Sequence, residues 1–345
     1  MFEIELTTRA VLAPDLPRHL YIEVTNHCNS LCISCPLTYD HFLPIEPKQH
    51  LSWENFRRIV DPLPRLDRVV LHGIGEPLLN RDLPRFIAHL KERGAYVLFN
   101  SNGVLLDQKR GDALVAAGLD ELRVSIDAVT PALYAKLRGI DALPKIIQNL
   151  QAFMARHGTQ SSPKLSLWLV GMQENLHELL DFVRLGAEIG VAEVYLQRLV
   201  YFGDGQRPDE ASTMTPEQSL YGTLAAQQES LIFQAEALAT ELGLRFQASG
   251  ATTPHESIST KGEHPWQGCL RPWLLMYVTA NGNVLPCCIA PFAAPTYTDI
   301  MLGNLFDAPL AEVWNGERYQ DLRTAVLSEA PAPWPCQHCG VKWSL

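Results

Sequence analysis

Eight cysteines fall into two groups near opposite ends of the chain, and this distribution constrains the fold more than any other feature. Three follow the spacing Cys28-x3-Cys32-x2-Cys35, and the other five begin only at Cys269. Secreted disulfide scaffolds distribute their cysteines through a short chain, whereas this chain has 345 residues. Clustered thiolates in a long chain are more typical of ligands to zinc or to an iron–sulfur cluster.

Composition and charge exclude several classes of protein. The chain has 28 Lys+Arg against 38 Asp+Glu, a formal charge of -10, which argues against a nucleic-acid partner. No apolar run approaches the roughly 20 residues that cross a bilayer, so no membrane partner is expected. Residues 1–20 lack the basic start and apolar centre of a signal peptide. We therefore expect a cytoplasmic protein, and its 47% hydrophobic residues suffice for a sizeable core.

Strand and helix patterns alternate about six times between residues 20 and 200. Strands are predicted at 20–24, 68–72, 96–99, 121–126, 164–170 and 193–199, with helical patterns between them. This order predicts a parallel sheet with right-handed crossovers, and polar or glycine-rich residues repeatedly follow the strand ends. Six units rather than eight predict an α/β fold built on a partial (βα)6 TIM-like barrel.

The chain after residue 200 has a different pattern. A capped helix is predicted from Thr215 to about Leu242, and residues 244–248 are a possible further strand. From Pro265 onward short strands and turns dominate, with Asn281-Gly282 as a hairpin signal. The predicted boundaries are an N-terminal extension at 1–17, the barrel at 18–205, a linker with a helix at 206–264 and a second domain at 265–345.

The first cysteine group resembles the cluster loop of the radical S-adenosylmethionine (SAM) superfamily. Three thiolates, from Cys28, Cys32 and Cys35, leave one iron of a four-iron cluster without a protein ligand. The resemblance implies that this iron binds SAM and that reductive cleavage gives a 5′-deoxyadenosyl radical, which abstracts a substrate hydrogen atom. Ser34 departs from the aromatic residue frequent at that position. A zinc knuckle is the alternative, although zinc sites normally have four protein ligands.

Two further strand ends strengthen this resemblance. Gly73-Ile-Gly-Glu-Pro77 is similar to the family's Gly-Gly-Glu-Pro strand end, which implies that Gly73, Gly75 and Glu76 contact SAM. The Glu76 carboxylate is the expected acceptor for the SAM ammonium group. Asn100-Ser-Asn-Gly103 resembles the polar strand end near the ribose and methionine, which implies roles for Asn100 and Asn102. The structural alternative for the glycine-rich strand end is a tight turn, and that for Asn100 and Asn102 is helix capping.

The later strand ends extend the resemblance to the rest of SAM. Ser125-Ile-Asp127 resembles the next polar strand end, and Ser125 and Arg138 are candidates for binding the SAM carboxylate. Leu196, on the last strand, is a candidate for backbone contact with adenine. The alternatives are helix capping for Ser125 and Asp127, and an ordinary buried strand around Leu196.

The second cysteine group resembles the auxiliary-cluster domains called SPASM and, in shortened form, Twitch. The resemblance implies a second [4Fe–4S] cluster in a small α+β domain. Its expected ligands are Cys269, Cys287, Cys336 and Cys339. Further C-terminal cysteines of the full SPASM form are missing, so the Twitch form is the closer match. Cys288 could replace the adjacent Cys287, and four-cysteine zinc is the alternative metal.

Two reaction outcomes are compatible with this pattern. If the auxiliary cluster accepts an electron, the result is a two-electron oxidation of a small natural product or a peptide, with Tyr201, Asp204 or His264 as the base. If Cys288 donates a hydrogen atom, the result is epimerisation; the alternative for Cys288 is a buried apolar role. Gln197, Arg198 and Tyr201 are candidate substrate contacts. A flavodoxin or ferredoxin is the expected electron donor.

Proteins of another class also fit part of the pattern. A non-catalytic iron–sulfur electron carrier needs clustered cysteines, but it does not need the glycine-rich strand end or six barrel strands. A zinc-stapled binding protein is the second such possibility. The visible spectrum and the iron content of the purified protein separate both from an enzyme.

Overall fold

The computed structural model describes residues 9–38, 46–158, 162–200, 214–220, 224–250, 252–259, 269–292, 297–328 and Cys336. The strands are β1 (His19–Ile22), β2 (Arg68–Val70), β3 (Tyr96–Ser101), β4 (Glu121–Ser125), β5 (Lys164–Gly171), β6 (Glu193–Arg198), β7 (Arg245–Ala248), β8 (Leu275–Val278), β9 (Asn283–Leu285) and β10 (Gly303–Asn304). The helices are α1 (Trp53–Val60), α2 (Leu83–Glu92), α3 (Gln108–Ala116), α4 (Pro131–Arg138), α5 (Leu143–His157), α6 (Leu179–Ile189), α7 (Ala226–Glu241), α8 (Pro254–Ser259), α9 (Arg271–Leu274), α10 (Leu310–Trp314) and α11 (Glu317–Leu327).

Local sequence signals account for the helix starts. Ser52 and Asp107 cap α1 and α3, because each side chain accepts a hydrogen bond from the main-chain N–H three residues later. Helices α2, α4 and α5 each carry a proline in the first turn, where its missing N–H costs nothing. No helix in the described ranges has the length and apolar character needed to cross a membrane.

All ten strands form one sheet in the order β10-β9-β8-β1-β2-β3-β4-β5-β6-β7. Strands β1 to β7 are parallel, which confirms the predicted parallel α/β architecture. The sheet has a seventh parallel strand, because β7 pairs with β6 and aligns Leu196 with Ala248. Thus the segment predicted as a linker supplies α7 and β7 to the barrel.

The second cysteine region continues the barrel sheet. Strand β8 pairs in parallel with β1, aligning Leu20 with Met276, and β9 and β10 follow in antiparallel order. The predicted hairpin at Asn281-Gly282 is confirmed: Gly282 has φ +84°, and Asn283 accepts a main-chain hydrogen bond from Thr279. The pairing of β1 with β8 joins the two regions edge to edge.

The two faces of the sheet differ in polarity, as β4 illustrates. Leu122 and Val124 are fully buried on the side of the helices, while Glu121, Arg123 and Ser125 are half-buried on the other face. Parallel strands that are covered on both faces normally have sequences of consecutive apolar residues. The alternation therefore indicates that the inner face lines a polar cavity instead of a packed core.

Candidate active site

A cavity of about 370 Å³ lies where the parallel strands end and extends along their inner face. Active sites of barrel folds form at this carboxyl end of the strands. Most of the residues predicted from the sequence line this one cavity: Cys28, Cys32, Cys35, Gly73, Gly75, Glu76, Asn100, Asn102, Ser125, Arg138 and Cys288. Gln197 and Arg198, predicted to meet the substrate, also line it.

The first cysteine loop is held by the C-terminal end of α4. The main-chain N–H groups of Leu31 and Ile33 donate to the carbonyls of Arg138 and Leu137, at 3.1 Å each. Gly139 follows with φ +65°, and a Cβ there would lie 2.3 Å from the Leu31 carbonyl oxygen. Only glycine allows this turn and this close approach.

The glycine-rich strand end lies directly against the chain that follows β1. A Cβ on Gly75 would lie 2.1 Å from the Thr25 carbonyl oxygen, and one on Gly73 would lie 2.3 Å from the Glu23 side chain. The Glu76 N–H donates to the His27 carbonyl at 2.8 Å. The two glycines thus bring this loop into contact with the segment that carries the cysteines.

Glu76 is buried, and protein donors occupy most of its carboxylate. Oε1 accepts from the Leu78 N–H at 3.0 Å and the Ser101 hydroxyl at 2.9 Å, and Oε2 accepts from the Asn102 N–H at 2.7 Å. Burial raises the pKa of Glu76, while these hydrogen bonds oppose the shift. A carboxylate has about four acceptor positions, so about one is left for an ammonium group.

Arg138 is the buried cation beside the first cysteine group. Its Nη1 donates to Asp127 Oδ2 at 2.8 Å, and the Val170 N–H donates to the other Asp127 oxygen at 2.9 Å. Burial by itself would lower the pKa of Arg138. The nearby Cys32 and Asp127 raise this pKa by a larger amount, so it lies well above the usual value. Asp127 itself does not line the cavity among the described residues, and it orients Arg138 from behind.

The three thiols of the first cysteine group line one cavity and act on one another electrostatically. All are free of disulfide bonds and face the same cavity. Burial raises the pKa of Cys28 to about 11 and also raises the pKa values of Cys32 and Cys35. Buried thiols act as thiolates when a metal offsets this cost. The donor set, with Arg138 beside it and open space in front, suits a site-differentiated iron–sulfur cluster.

Three cysteines of the second group, Cys269, Cys287 and Cys288, act electrostatically on the buried Arg271. Burial by itself would lower the pKa of Arg271. The three cysteines Cys288, Cys287 and Cys269 together raise this pKa by a larger amount, so it lies above the usual value. Cys288 lines the cavity together with Arg271, whereas Cys287 does not. Cys336 packs against the main hydrophobic core. A cation close to several thiols suits an anionic metal–thiolate centre.

The structure does not bring Leu196 to the cavity. Its side chain is 3% exposed and lies against Leu220 and Gly171 on the outer side of β6. Its carbonyl accepts the Ser249 N–H at 3.2 Å, and the backbone contact with adenine stays a prediction. Tyr195 and Gln197, on either side of it, line the cavity instead. Tyr201, Asp204, His264 and Cys339 lie outside the described residues.

Several polar residues of the site were not predicted. Glu23 is buried beside β1, where it accepts hydrogen bonds from the Ile74 N–H at 2.9 Å and the Ala280 N–H at 3.2 Å. Deeper in the cavity lie Arg68, His72, Arg123, Trp168 and Tyr195. The signal for Arg123 was its place in Glu121-Leu-Arg-Val-Ser125, where polar residues alternate on a strand expected to be apolar.

Two family profiles match the regions that the cysteines mark. The profile of the Radical SAM superfamily matches residues 22–186, and that of the SPASM iron–sulfur cluster-binding domain matches residues 269–340. The PqqA peptide cyclase of Xanthomonas campestris pv. campestris is 26% identical over 328 residues, covering 94% of this chain and 79% of that protein. The AdoMet-dependent heme synthase of Methanosarcina barkeri is 27% identical over 315 residues, covering 89% and 85%.

A solved structure shares the fold. Streptococcus suis SuiB bound to the precursor peptide SuiA aligns with a TM-score of 0.65 and 16% sequence identity, covering 96% of this chain and 71% of that chain. The predicted family, fold class and cofactors, namely SAM and iron–sulfur clusters in both regions, are confirmed. The Twitch subtype and the individual ligands stay predictions. The chain belongs to the radical SAM superfamily and carries a C-terminal SPASM domain.

Proposed function

We propose that this chain is a radical SAM enzyme that carries out a two-electron oxidation, either a dehydrogenation or a bond formation, on a peptide substrate. One observation carries the proposal. The same cavity is lined at one side by Cys28, Cys32 and Cys35 and at another by Cys288 and Arg271 of the SPASM domain. A substrate in that cavity lies between the two cofactor regions.

The chain's own residues divide the work in this cavity. When bound, the clusters and SAM supply the 5′-deoxyadenosyl radical, the removal of one substrate hydrogen atom and an acceptor for the second electron. Arg138 and Ser125 bind the SAM carboxylate, and the remaining acceptor position of Glu76 orients the ammonium group. Arg271 balances negative charge at the auxiliary thiolates. The substrate proton passes to a base, for which Tyr201 and Asp204 stay the candidates, and a flavodoxin or ferredoxin supplies electrons.

A peptide is favoured as the substrate by sequence similarity. The PqqA peptide cyclase aligns along 94% of this chain, so the similarity extends through both cysteine regions. The AdoMet-dependent heme synthase has a similar sequence identity to this chain, so a heme-type macrocycle is the alternative substrate class. A peptide is preferred because the fold is also shared with SuiB, whose solved structure is bound to a precursor peptide.

The test uses anaerobically reconstituted enzyme with dithionite, SAM and a randomised peptide pool. Wild type should form 5′-deoxyadenosine and a peptide that has lost two hydrogens. Cys32→Ala should form neither. Cys269→Ala should still form 5′-deoxyadenosine but no oxidised peptide. A wild-type protein that holds zinc in place of iron, or that forms no 5′-deoxyadenosine with both clusters present, contradicts the proposal.

Epimerisation is the second candidate because Cys288 lines the cavity and the adjacent Cys287 does not. In this case the Cys288 thiol returns a hydrogen atom to the substrate radical, and one electron from the flavodoxin or ferredoxin and one proton restore the thiol from the thiyl radical. The peptide mass is unchanged in ordinary water. Reaction in D₂O separates the outcomes. Epimerisation incorporates one deuterium and is lost in Cys288→Ala, whereas oxidation removes two hydrogens and incorporates none.

A further inference from the structure

More basic than acidic side chains line the cavity, although the whole chain carries a charge of -10. Five arginines and only two glutamates are among the described residues that line the cavity. Glu76 is occupied by three protein donors, and Glu193 is paired with Arg245 at 2.5 Å. Arg138 lies beside the first cysteine group and Arg271 beside the second. Arg68 and Arg123 belong to neither cysteine region, so their charge needs another explanation.

Arg123 is anchored from one side and open at the other. Its Nε donates to Glu121 Oε1 at 2.6 Å, and the Tyr96 hydroxyl donates to the other oxygen of that carboxylate at 3.1 Å. The terminal Nη1 and Nη2 groups form no hydrogen bond with any described residue, and the side chain lines the cavity. The free edge of a guanidinium presents two parallel N–H donors, which match a carboxylate.

Arg68 and His72 also line the cavity. Neither forms a side-chain hydrogen bond or ion pair with another residue in the described part of the chain, and His72 Nδ1 is fully buried there. Arg68 acts electrostatically on Glu121, so two arginines face this single carboxylate. Burial and Arg123 lower the pKa of His72 to about 4, so the imidazole is neutral near pH 7.

An aromatic pair forms the wall beside this guanidinium. The Trp168 and Tyr195 rings stack at a centroid distance of 3.7 Å, on the adjacent strands β5 and β6. The Arg123 guanidinium lies 4.3 Å from the centre of the Trp168 ring. Stacking of this kind fixes the plane of the guanidinium and so reduces the freedom that ligand binding would have to restrict.

The position of Arg123 relates this end of the cavity to the SAM end. Arg123 precedes Ser125 by two residues on the same face of β4. At the usual rise of a strand, its Cα lies roughly 7 Å deeper than that of the predicted SAM contact. The register of β3 and β4 also places Arg123 beside Asn100, another predicted SAM contact, so a group bound at Arg123 lies close to SAM.

We propose that Arg123 and Arg68 form a carboxylate-binding subsite for the substrate, with the Trp168–Tyr195 pair as its wall. The inference rests on the proposed function, because it assumes that the substrate enters this cavity. The carboxylate belongs either to an acidic side chain of the peptide or to its C-terminus. Both sources present the same group to the two guanidinium edges.

The test measures binding of small probes to the reconstituted holoenzyme with SAM, by ligand-observed NMR titration. One pair of probes is N-acetylglutamate N-methylamide and its glutamine counterpart. The other is N-acetylalanine and its N-methylamide. We expect the carboxylate of one pair to bind about tenfold more tightly than its neutral partner, since hydrogen bonds between two charged groups are stronger than those to a neutral acceptor. The pair that shows the preference identifies the source of the carboxylate.

Two variants and one control locate the preference. Arg123→Gln and Arg68→Gln should each remove it, whereas Arg110→Gln, which alters an exposed arginine paired with Asp107, should retain it. If Arg123→Gln disturbs the position of Glu121, Arg68→Gln still tests the subsite, because Arg68 has no hydrogen bond to Glu121 among the described residues. Equal binding within both pairs, or a preference that survives both variants, overturns the subsite. Formation of 5′-deoxyadenosine in the same samples reports separately on the proposed function.

Discussion

The two cysteine regions are held in different ways. In the first, backbone hydrogen bonds from Leu31 and Ile33 to α4, together with close glycine contacts, hold the loop independently of a cluster. In the second, the thiols of Cys269, Cys287 and Cys288 act electrostatically on the buried cation of Arg271. The first region should therefore keep its shape without a cluster, while the second should be stable only when its thiolates and its arginine are both present.

The largest effect expected from this difference is that of Arg271→Gln. Removing the cation leaves negative charge at the auxiliary thiolates uncompensated in a buried site, which costs about 3–5 kcal/mol when one partner of a buried pair is lost. We expect loss of the auxiliary cluster with retention of the first, so iron falls from about eight to about four per chain.

Arg138→Gln is the matched variant in the first region. There the loop is held by the main chain, so the first cluster should be retained while SAM binds more weakly. Iron analysis and the visible spectrum measure both variants. If Arg138→Gln loses its cluster as completely as Arg271→Gln does, the contrast between the regions is wrong.

Gly75→Ala tests the backbone contacts of the first region. The new Cβ would lie 2.1 Å from the Thr25 carbonyl oxygen, and a backbone atom cannot move aside cheaply. We expect a loss of about 3 kcal/mol in the free energy of unfolding, together with weaker SAM binding. Gly94→Ala is the control: it has φ +77° but no neighbour within 4 Å, so only the backbone strain of about 1–2 kcal/mol applies. Urea unfolding compares the two variants.

Glu23 connects the two regions, because its carboxylate accepts from Ile74 in one and from Ala280 in the other. Burial raises its pKa from 4.5 to about 7. The folded state therefore binds a proton that the unfolded state releases, and this stabilisation, present below pH 4.5, is lost as the pH rises to about 7. Glu23→Gln should remove the decline, which is about 3 kcal/mol.

Thermal unfolding of Glu23→Gln between pH 5 and pH 8 provides the measurement. Glu312→Gln, at an exposed position, should leave the wild-type pH dependence intact. An unchanged slope in Glu23→Gln would show that another group sets the pH dependence of the junction between the regions.

Much of the site was predictable because its signals are local. Cysteine spacing, glycine pairs and strand-end polarity identified residues that line one cavity, from Cys28 to Cys288. Other features depend on neighbours distant in sequence. The Glu76 motif was recognised, but its three protein donors come partly from the next strand. The Leu196 side chain points away from the cavity because of its place in the paired strand β6. The pairing of β1 with β8 joins segments that are separated by most of the chain.

Asn102→Ala should have the smallest effect and tests side-chain contacts in the first region. The Asn102 amide donates to Asn29 Oδ1 at 2.7 Å and to the Ser30 hydroxyl at 3.1 Å, beside the cysteine loop. If the main chain alone fixes that loop, the loss of these bonds should cost about 1 kcal/mol and leave the iron content unchanged. Urea unfolding and iron analysis measure both quantities. Loss of the first cluster in this variant would show that side chains, and not only the backbone, hold the loop in place.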